Sequence, residues 1–223
     1  MNLRALVAEL TGTFFLVFAG VGAIVSDLYR PGSVGLLGIA AAHGIALAVA
    51  VSATMNVSGG HLNPAVTVGL FSIGRIDART AGQYVAAQLV GAILAALAIK
   101  GLYPHMAALN AKLGTPTLAS DISLTQGIAI EAILTFMLAF AVMGTAVDPN
   151  APRIGGFGIG LVVLFGILAG GQMTGAAMNP ARAFGPALIS GTWIAHVAFW
   201  IGPILGSVVG FQLYERVVLK KAG

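Results

Sequence analysis

Ser58-Gly59-Gly60-His61-Leu62-Asn63-Pro64-Ala65 and Thr174-Gly175-Ala176-Ala177-Met178-Asn179-Pro180-Ala181 carry the same tripeptide, Asn-Pro-Ala, behind a run of mostly small residues. Asn is a good helix N-cap and Pro is at home in the first helical turn. Each copy therefore predicts a helix start. The apolar runs that follow, 64–73 and 180–189, are ten residues each. At 1.5 Å per residue such a helix covers about 15 Å, half of a roughly 30 Å hydrocarbon core. Two half-helices could together make one crossing.

The surrounding chain is oily. Of 223 residues, 58% are hydrophobic and only 8% charged. Soluble domains carry about a quarter charged residues, so this composition excludes a solvated globular surface and implies a polytopic membrane protein. The 31 glycines are scattered through apolar segments, where small residues let helix backbones approach. Cysteine is absent, which excludes disulfides, thiolate metal sites and thiol nucleophiles. No metal cluster and no cofactor is expected. The net charge of +4 reads as membrane topology and gives no support to a nucleic-acid partner.

Six stretches are long and apolar enough to cross: about 3–26, 35–56, 80–101, 122–147, 154–172 and 195–217. The first is apolar over its length and carries Glu9, so it reads as a retained span and not as a signal peptide. With the N-terminus inside, Arg4, Arg75, Arg79, Arg153, Arg216, Lys220 and Lys221 fall on the cytoplasmic side. Arg30, Lys100 and Lys112 fall outside. Seven against three is a positive-inside bias, and both termini are then cytoplasmic. The halves echo each other. Glu9-Leu10-Thr11-Gly12-Thr13-Phe14 in the first span matches Glu131-Ala132-Ile133-Leu134-Thr135-Phe136 in the fourth. Three spans per half is an odd number, so the second half inserts upside down, and such inverted repeats place their site near the midplane. The expected fold is thus an all-α membrane protein of six transmembrane helices and two re-entrant half-helices. It forms one channel domain over residues 1–223, with repeats of about 1–101 and 122–217.

Irregular backbone at membrane depth is tolerated only where it is buried in protein or lines a wet cavity. The segments before Asn63 and Asn179 should therefore line a water path with their carbonyls. The Asn amides and two positive helix ends meet at its middle. A water held there with its oxygen toward the amides cannot readily take a proton from its neighbour. The same field opposes cations. These features predict a passive channel for uncharged solutes that excludes protons.

With these residues in place, Ser58-Gly59-Gly60-His61-Leu62-Asn63-Pro64-Ala65-Val66-Thr67 and Met178-Asn179-Pro180-Ala181-Arg182 resemble the two signatures of the aquaporin, or major intrinsic protein, family. The resemblance covers essentially the whole chain and implies a homotetramer with one pore per subunit. It also implies a narrow filter outward of the midplane, which falls on His43, Ile167, Ala176 and Arg182. Strict bacterial water channels tend to have Phe where His43 stands and His where Ile167 stands. The set found here is instead similar to plant vacuolar-membrane aquaporins and implies a wider aperture with one apolar wall. Ammonia, hydrogen peroxide and urea then join water as solutes. His61 is placed in the cytoplasmic half, which its family counterpart lines or gates. Glycerol facilitators usually carry Asp where Ala183 stands and lack an aromatic pair like Phe199-Trp200; both features favour the water branch.

Some residues admit two readings. An intramembrane Arg is costly and almost always faces a cavity or a partner. Arg182 has no acid in its local segment, which favours the cavity. His43 is either a pore-facing ring or a packed polar residue. Glu9 and Glu131 are either a proton relay, as in a proton-coupled transporter, or acceptors that brace the two re-entrant loops; their matched positions favour bracing. Gln88 is expected to join that network. Gly202, Gly206 and Gly210 form a packing ridge, and His105 and His196 read as ordinary. A facilitator whose main solute is ammonia, urea or glycerol is the nearest alternative. An enzyme is disfavoured, because there is no Ser-His, paired-Asp or metal arrangement. The short termini suggest a bacterial inner membrane. The outer loop 102–121 is not placed by any pattern. Because cysteine is absent, stopped-flow water flux through the protein is expected to persist in mercuric chloride; strong inhibition would contradict this.

Overall fold

The structure, a computed structural model, describes residues 2–152 and 154–219. Three of the inside charges, Arg153, Lys220 and Lys221, lie outside the described residues. The chain runs α1 (Leu3–Tyr29), α2 (Gly35–Ser58), α3 (Pro64–Ser72), α4 (Ala78–Leu102), α5 (His105–Asn110), α6 (Leu124–Val142), α7 (Phe157–Thr174), α8 (Pro180–Ser190) and α9 (Ala198–Leu213). No strand occurs among the described residues.

Local chemistry explains the element ends. Asn2 caps α1 through its side chain, accepting from Ala5 N. Asp77 caps α4, and Ser123 with Gln126 forms a capping box on α6. α2 stops at Gly59 and α7 at Gly175, both in the left-handed region (φ 90° and 82°) where a glycine terminates a helix without strain. These two stops hold equivalent places in the repeats.

Four expected spans match their helices to within about three residues at each end. The fourth and sixth differ more in kind. α6 continues into a π-turn over Met143–Val147, and together they are long and apolar enough to span. α9 begins at Ala198 and not at 195, because Ile194–Val197 form turns and Ala195 is left-handed (φ 51°). Its sixteen residues are extended by a π-turn to Val218, which gives a length of roughly 30 Å.

α1 packs on α2 and α4, and α6 packs on α7 and α9; α2 against α7 joins the halves. A Cβ at Gly160 would overlap the carbonyl of Gly44, and one at Gly44 would come 2.6 Å from the carbonyl of Gly160. That reciprocity marks the pseudo-two-fold axis. Each half-helix leans on the other half of the chain. Gly69 of α3 abuts Phe211 and Ser207 of α9, and Gly185 of α8 abuts Ala92 of α4. Large apolar side chains such as Leu37, Ile45, Ile133 and Val209 cover the outside, whereas Glu9, Gln88, Glu131 and Arg182 are buried. This inverted polarity is what a lipid environment demands.

The loop that the sequence left unplaced contains α5, a single 3₁₀ turn at Lys112–Gly114 and an extended run to Ala119. Leu113 is fully buried and Ala119 N donates to Met173 O (2.8 Å). The segment thereby folds across the outer mouth.

A side chain at Gly206 would overlap the Ala132 carbonyl of α6, whereas Gly101 faces open space. Gly206→Leu should therefore lower detergent-state stability by about 1–3 kcal/mol in thermal unfolding, and Gly101→Ala should leave it unchanged or raise it. Equal midpoints for both variants would contradict the packing described.

Candidate pore

Asn63 sits in extended backbone ahead of α3, and its Oδ1 accepts from Ala65 N (2.9 Å). Asn179 does the same for Ala181 N and Arg182 N (3.0 and 3.2 Å). Their amide nitrogens cross between the loops. Asn63 Nδ2 donates to Met178 O (2.8 Å), and Asn179 Nδ2 donates to Leu62 O (2.9 Å). The two helix tips are thus tied together by a reciprocal pair of bonds. An amide nitrogen carries two hydrogens, so each Asn keeps one for a solute.

The segments before the tips repeat the same backbone. Gly59, Gly60 and Leu62 have positive φ, and so do Gly175, Ala176 and Met178. For Leu62, Ala176 and Met178 this region is strained, and the strain is held by buried carboxylates. Glu9 accepts from Ser58 Oγ (2.6 Å), His61 N (2.9 Å), Leu62 N (2.7 Å) and Gln88 Nε2 (2.7 Å). Glu131 accepts from Thr174 Oγ1 (2.7 Å), Ala177 N (2.9 Å) and Met178 N (2.8 Å). The loop N–H groups therefore point away from the path, and the carbonyls are left to face it.

Arg182 is 3% exposed. Its Nη1 donates to Gly114 O (2.9 Å), and its Nη2 lies 3.2 Å from His43 Nε2. His43 Nδ1 is 2.8 Å from Ile39 O. A carbonyl only accepts, so Nδ1 carries the ring hydrogen and Nε2 accepts from the guanidinium. No carboxylate pairs with Arg182 among the described residues, where the one ion pair is Arg75–Glu215 (3.0 Å).

Three cavities lie in series. An outer vestibule of about 330 Å³ reaches from the 102–121 loop down to His43, Ile167 and Arg182. Those three residues also line a central cavity with Ala176, Asn63 and Asn179. Its volume of about 10 Å³ is close to the room one water needs. An inner vestibule of about 260 Å³ opens at His61 and Val66. It shares no lining residue with the central cavity, so the two are separated where the chain runs from His61 to Asn63. His61 Nδ1 meets Thr67 Oγ1 (3.1 Å), and its ring stands edge-on to Tyr84.

The structure thus brings Asn63, Asn179, His43, Ile167, Ala176 and Arg182 around one cavity and places His61 in the vestibule below. Pro64, Ala65, Pro180 and Ala181 form the first turns of α3 and α8. Several contributors were not singled out from sequence. The Gly114 carbonyl comes from a loop without a motif, and the apolar wall of Leu16, Leu47, Leu138 and Val163 looks like any core. Thr67 carried a signal, since it lies one turn after Asn63 and its N donates to Asn63 O.

Residues 1–214 match the family model described as the major intrinsic protein. Aquaporin TIP4-4 of Zea mays is 43% identical, over 99% of this chain and 88% of its own length. Aquaporin TIP4-1 of Arabidopsis thaliana is 44% identical, over 98% and 88%. The X-ray structure of the aquaglyceroporin from Plasmodium falciparum superposes with a TM-score of 0.86 at 30% identity, covering 98% of this chain and 97% of that one. These sources leave the expected bacterial inner membrane without support; what they establish is a multi-pass integral membrane protein. By sequence along nearly its whole length, and by fold, the chain belongs to the major intrinsic protein family.

Proposed function

We propose that this chain is a passive water channel that excludes protons and ions and also passes small neutral solutes: ammonia, hydrogen peroxide and, at the upper size limit, urea. The observation that carries this reading is the central cavity, with room for about one water and lined by both Asn63 and Asn179. A water there accepts the spare amide hydrogens and turns its own hydrogens along the path. The positive ends of α3 and α8 oppose hydronium and metal cations. Family membership accords with a passive channel and not with an enzyme.

In this reading His43, Ile167, Ala176 and Arg182 form the filter. Arg182 presents a buried positive charge, and Ile167 and Ala176 supply a wall without hydrogen-bonding groups. Because both His43 nitrogens are engaged, the ring offers shape more than hydrogen bonds. Glu9 and Glu131 brace the loops; each already accepts at least three hydrogen bonds and faces no cavity described above, which weighs against a proton relay. His61 lines the cytoplasmic half. Residues 1–223 act as one domain with both termini cytoplasmic, and four copies assemble into a homotetramer with one pore each.

The test is stopped-flow light scattering on proteoliposomes, with water, ammonia, urea and glycerol ranked in the same vesicles. Water is expected to lead and glycerol to come last. Glycerol moving faster than water would transfer the chain to the facilitator reading. Arg182→Val is expected to admit larger solutes or leak cations, and His43→Phe to narrow the opening and reduce ammonia flux. Unchanged selectivity in either variant would remove that residue from the filter.

A further inference from the structure

Gly20 lies inside α1 with ordinary helical backbone and is buried. No turn or positive φ requires a glycine there, and glycine in a helix interior is destabilising relative to alanine. The missing side chain has a packing cause. A Cβ at Gly20 would overlap Nε2 and Cδ2 of the His43 ring and would come 2.5 Å from its Cε1. The ring of His43 therefore occupies the volume that a methyl group would need.

The ring is also held at both of its nitrogens. Nδ1 is anchored to Ile39 O within its own helix, and Nε2 receives Arg182 Nη2. A ring displaced from α1 has the central cavity and the outer vestibule before it, since His43 lines both. Gly20 itself lines neither. The central cavity holds about 10 Å³, so even a small displacement of the ring changes how much room is left beside it.

We infer that Gly20 is a specificity-determining residue of the outer constriction. Its bare backbone seats the His43 ring against α1 and so sets how far that ring stands back from Ile167, Ala176 and Arg182. The size limit for solutes is then fixed partly by a helix position that touches no solute. This inference rests on the reading of that constriction as the filter.

The test uses proteoliposomes containing the wild type, Gly20→Ala, His43→Ala and the double variant, with fluxes normalised to incorporated protein. The readouts are water permeability and the permeability of the largest of ammonia, urea and glycerol that the wild type passes. Gly20→Ala is expected to lower the solute flux on the order of tenfold and to lower the solute-to-water ratio. The double variant is expected to behave like His43→Ala alone, because the displaced ring is gone. An unchanged ratio in Gly20→Ala overturns the inference, and so does a defect that persists in the double variant. If Gly20→Ala fails to fold, recovery of folded protein in the double variant supports the clash with His43, and failure of both variants overturns it. If His43→Ala leaves the ratio at the wild-type value, the filter reading itself fails. That result is distinct from a silent Gly20→Ala beside an effective His43→Ala.

Discussion

Glu9 and Glu131 take up the backbone N–H groups of two chain segments that have neither a helix nor bulk water to satisfy them. A carboxylate removed from water carries a penalty of several kcal/mol unless it is richly hydrogen-bonded. Here four donors converge on Glu9 and three on Glu131. Once the N–H groups are turned toward these acids, the carbonyls must turn the other way. One set of bonds thus fixes the strained loops, frees a row of acceptors and aims two helix tips at each other. The crossed bonds from Asn63 to Met178 and from Asn179 to Leu62 close the arrangement.

The repeat is geometrically faithful and chemically unequal. Gly91 packs against the carbonyl of Leu10, and Gly206 against that of Ala132, the residues that follow the two acids. By that register Gln88 corresponds to Pro203. Counted from the two Asn, Thr67 corresponds to Ala183, His61 to Ala177 and Val66 to Arg182. The inner half therefore holds a polar chain of His61, Thr67, Gln88 and Glu9. The outer half has instead a single cation, held by a loop carbonyl and a histidine. A shared frame can diverge in this way because each half-helix tip is positioned by its own acid, which leaves neighbouring positions free to specialise.

Much of this was legible in the sequence because it depended on local chemistry. Asn-Pro marks a helix start wherever it occurs, and α3 and α8 begin at the expected prolines and end within a residue of expectation. A Glu at membrane depth demands donors, and the nearest unsatisfied N–H groups were those of the re-entrant loops. The 102–121 segment was not legible, because its path is set by tertiary contacts. Leu113 adopts a left-handed conformation that its residue type disfavours, and the role of the Gly114 carbonyl depends on Arg182 arriving from far along the chain. The late start of α9 has a similar origin in the left-handed Ala195. Gly20 was visible only as one more glycine in an apolar helix; what distinguishes it is the ring opposite.

The central claim is that two amide-capped helix tips hold a single file of water in an orientation that protons cannot follow. Simultaneous measurement of osmotic water permeability and proton flux in the same proteoliposomes tests it most directly. The account predicts rapid shrinkage with a low activation energy and proton flux no greater than in empty vesicles. Proton flux that rises in step with water permeability would contradict it.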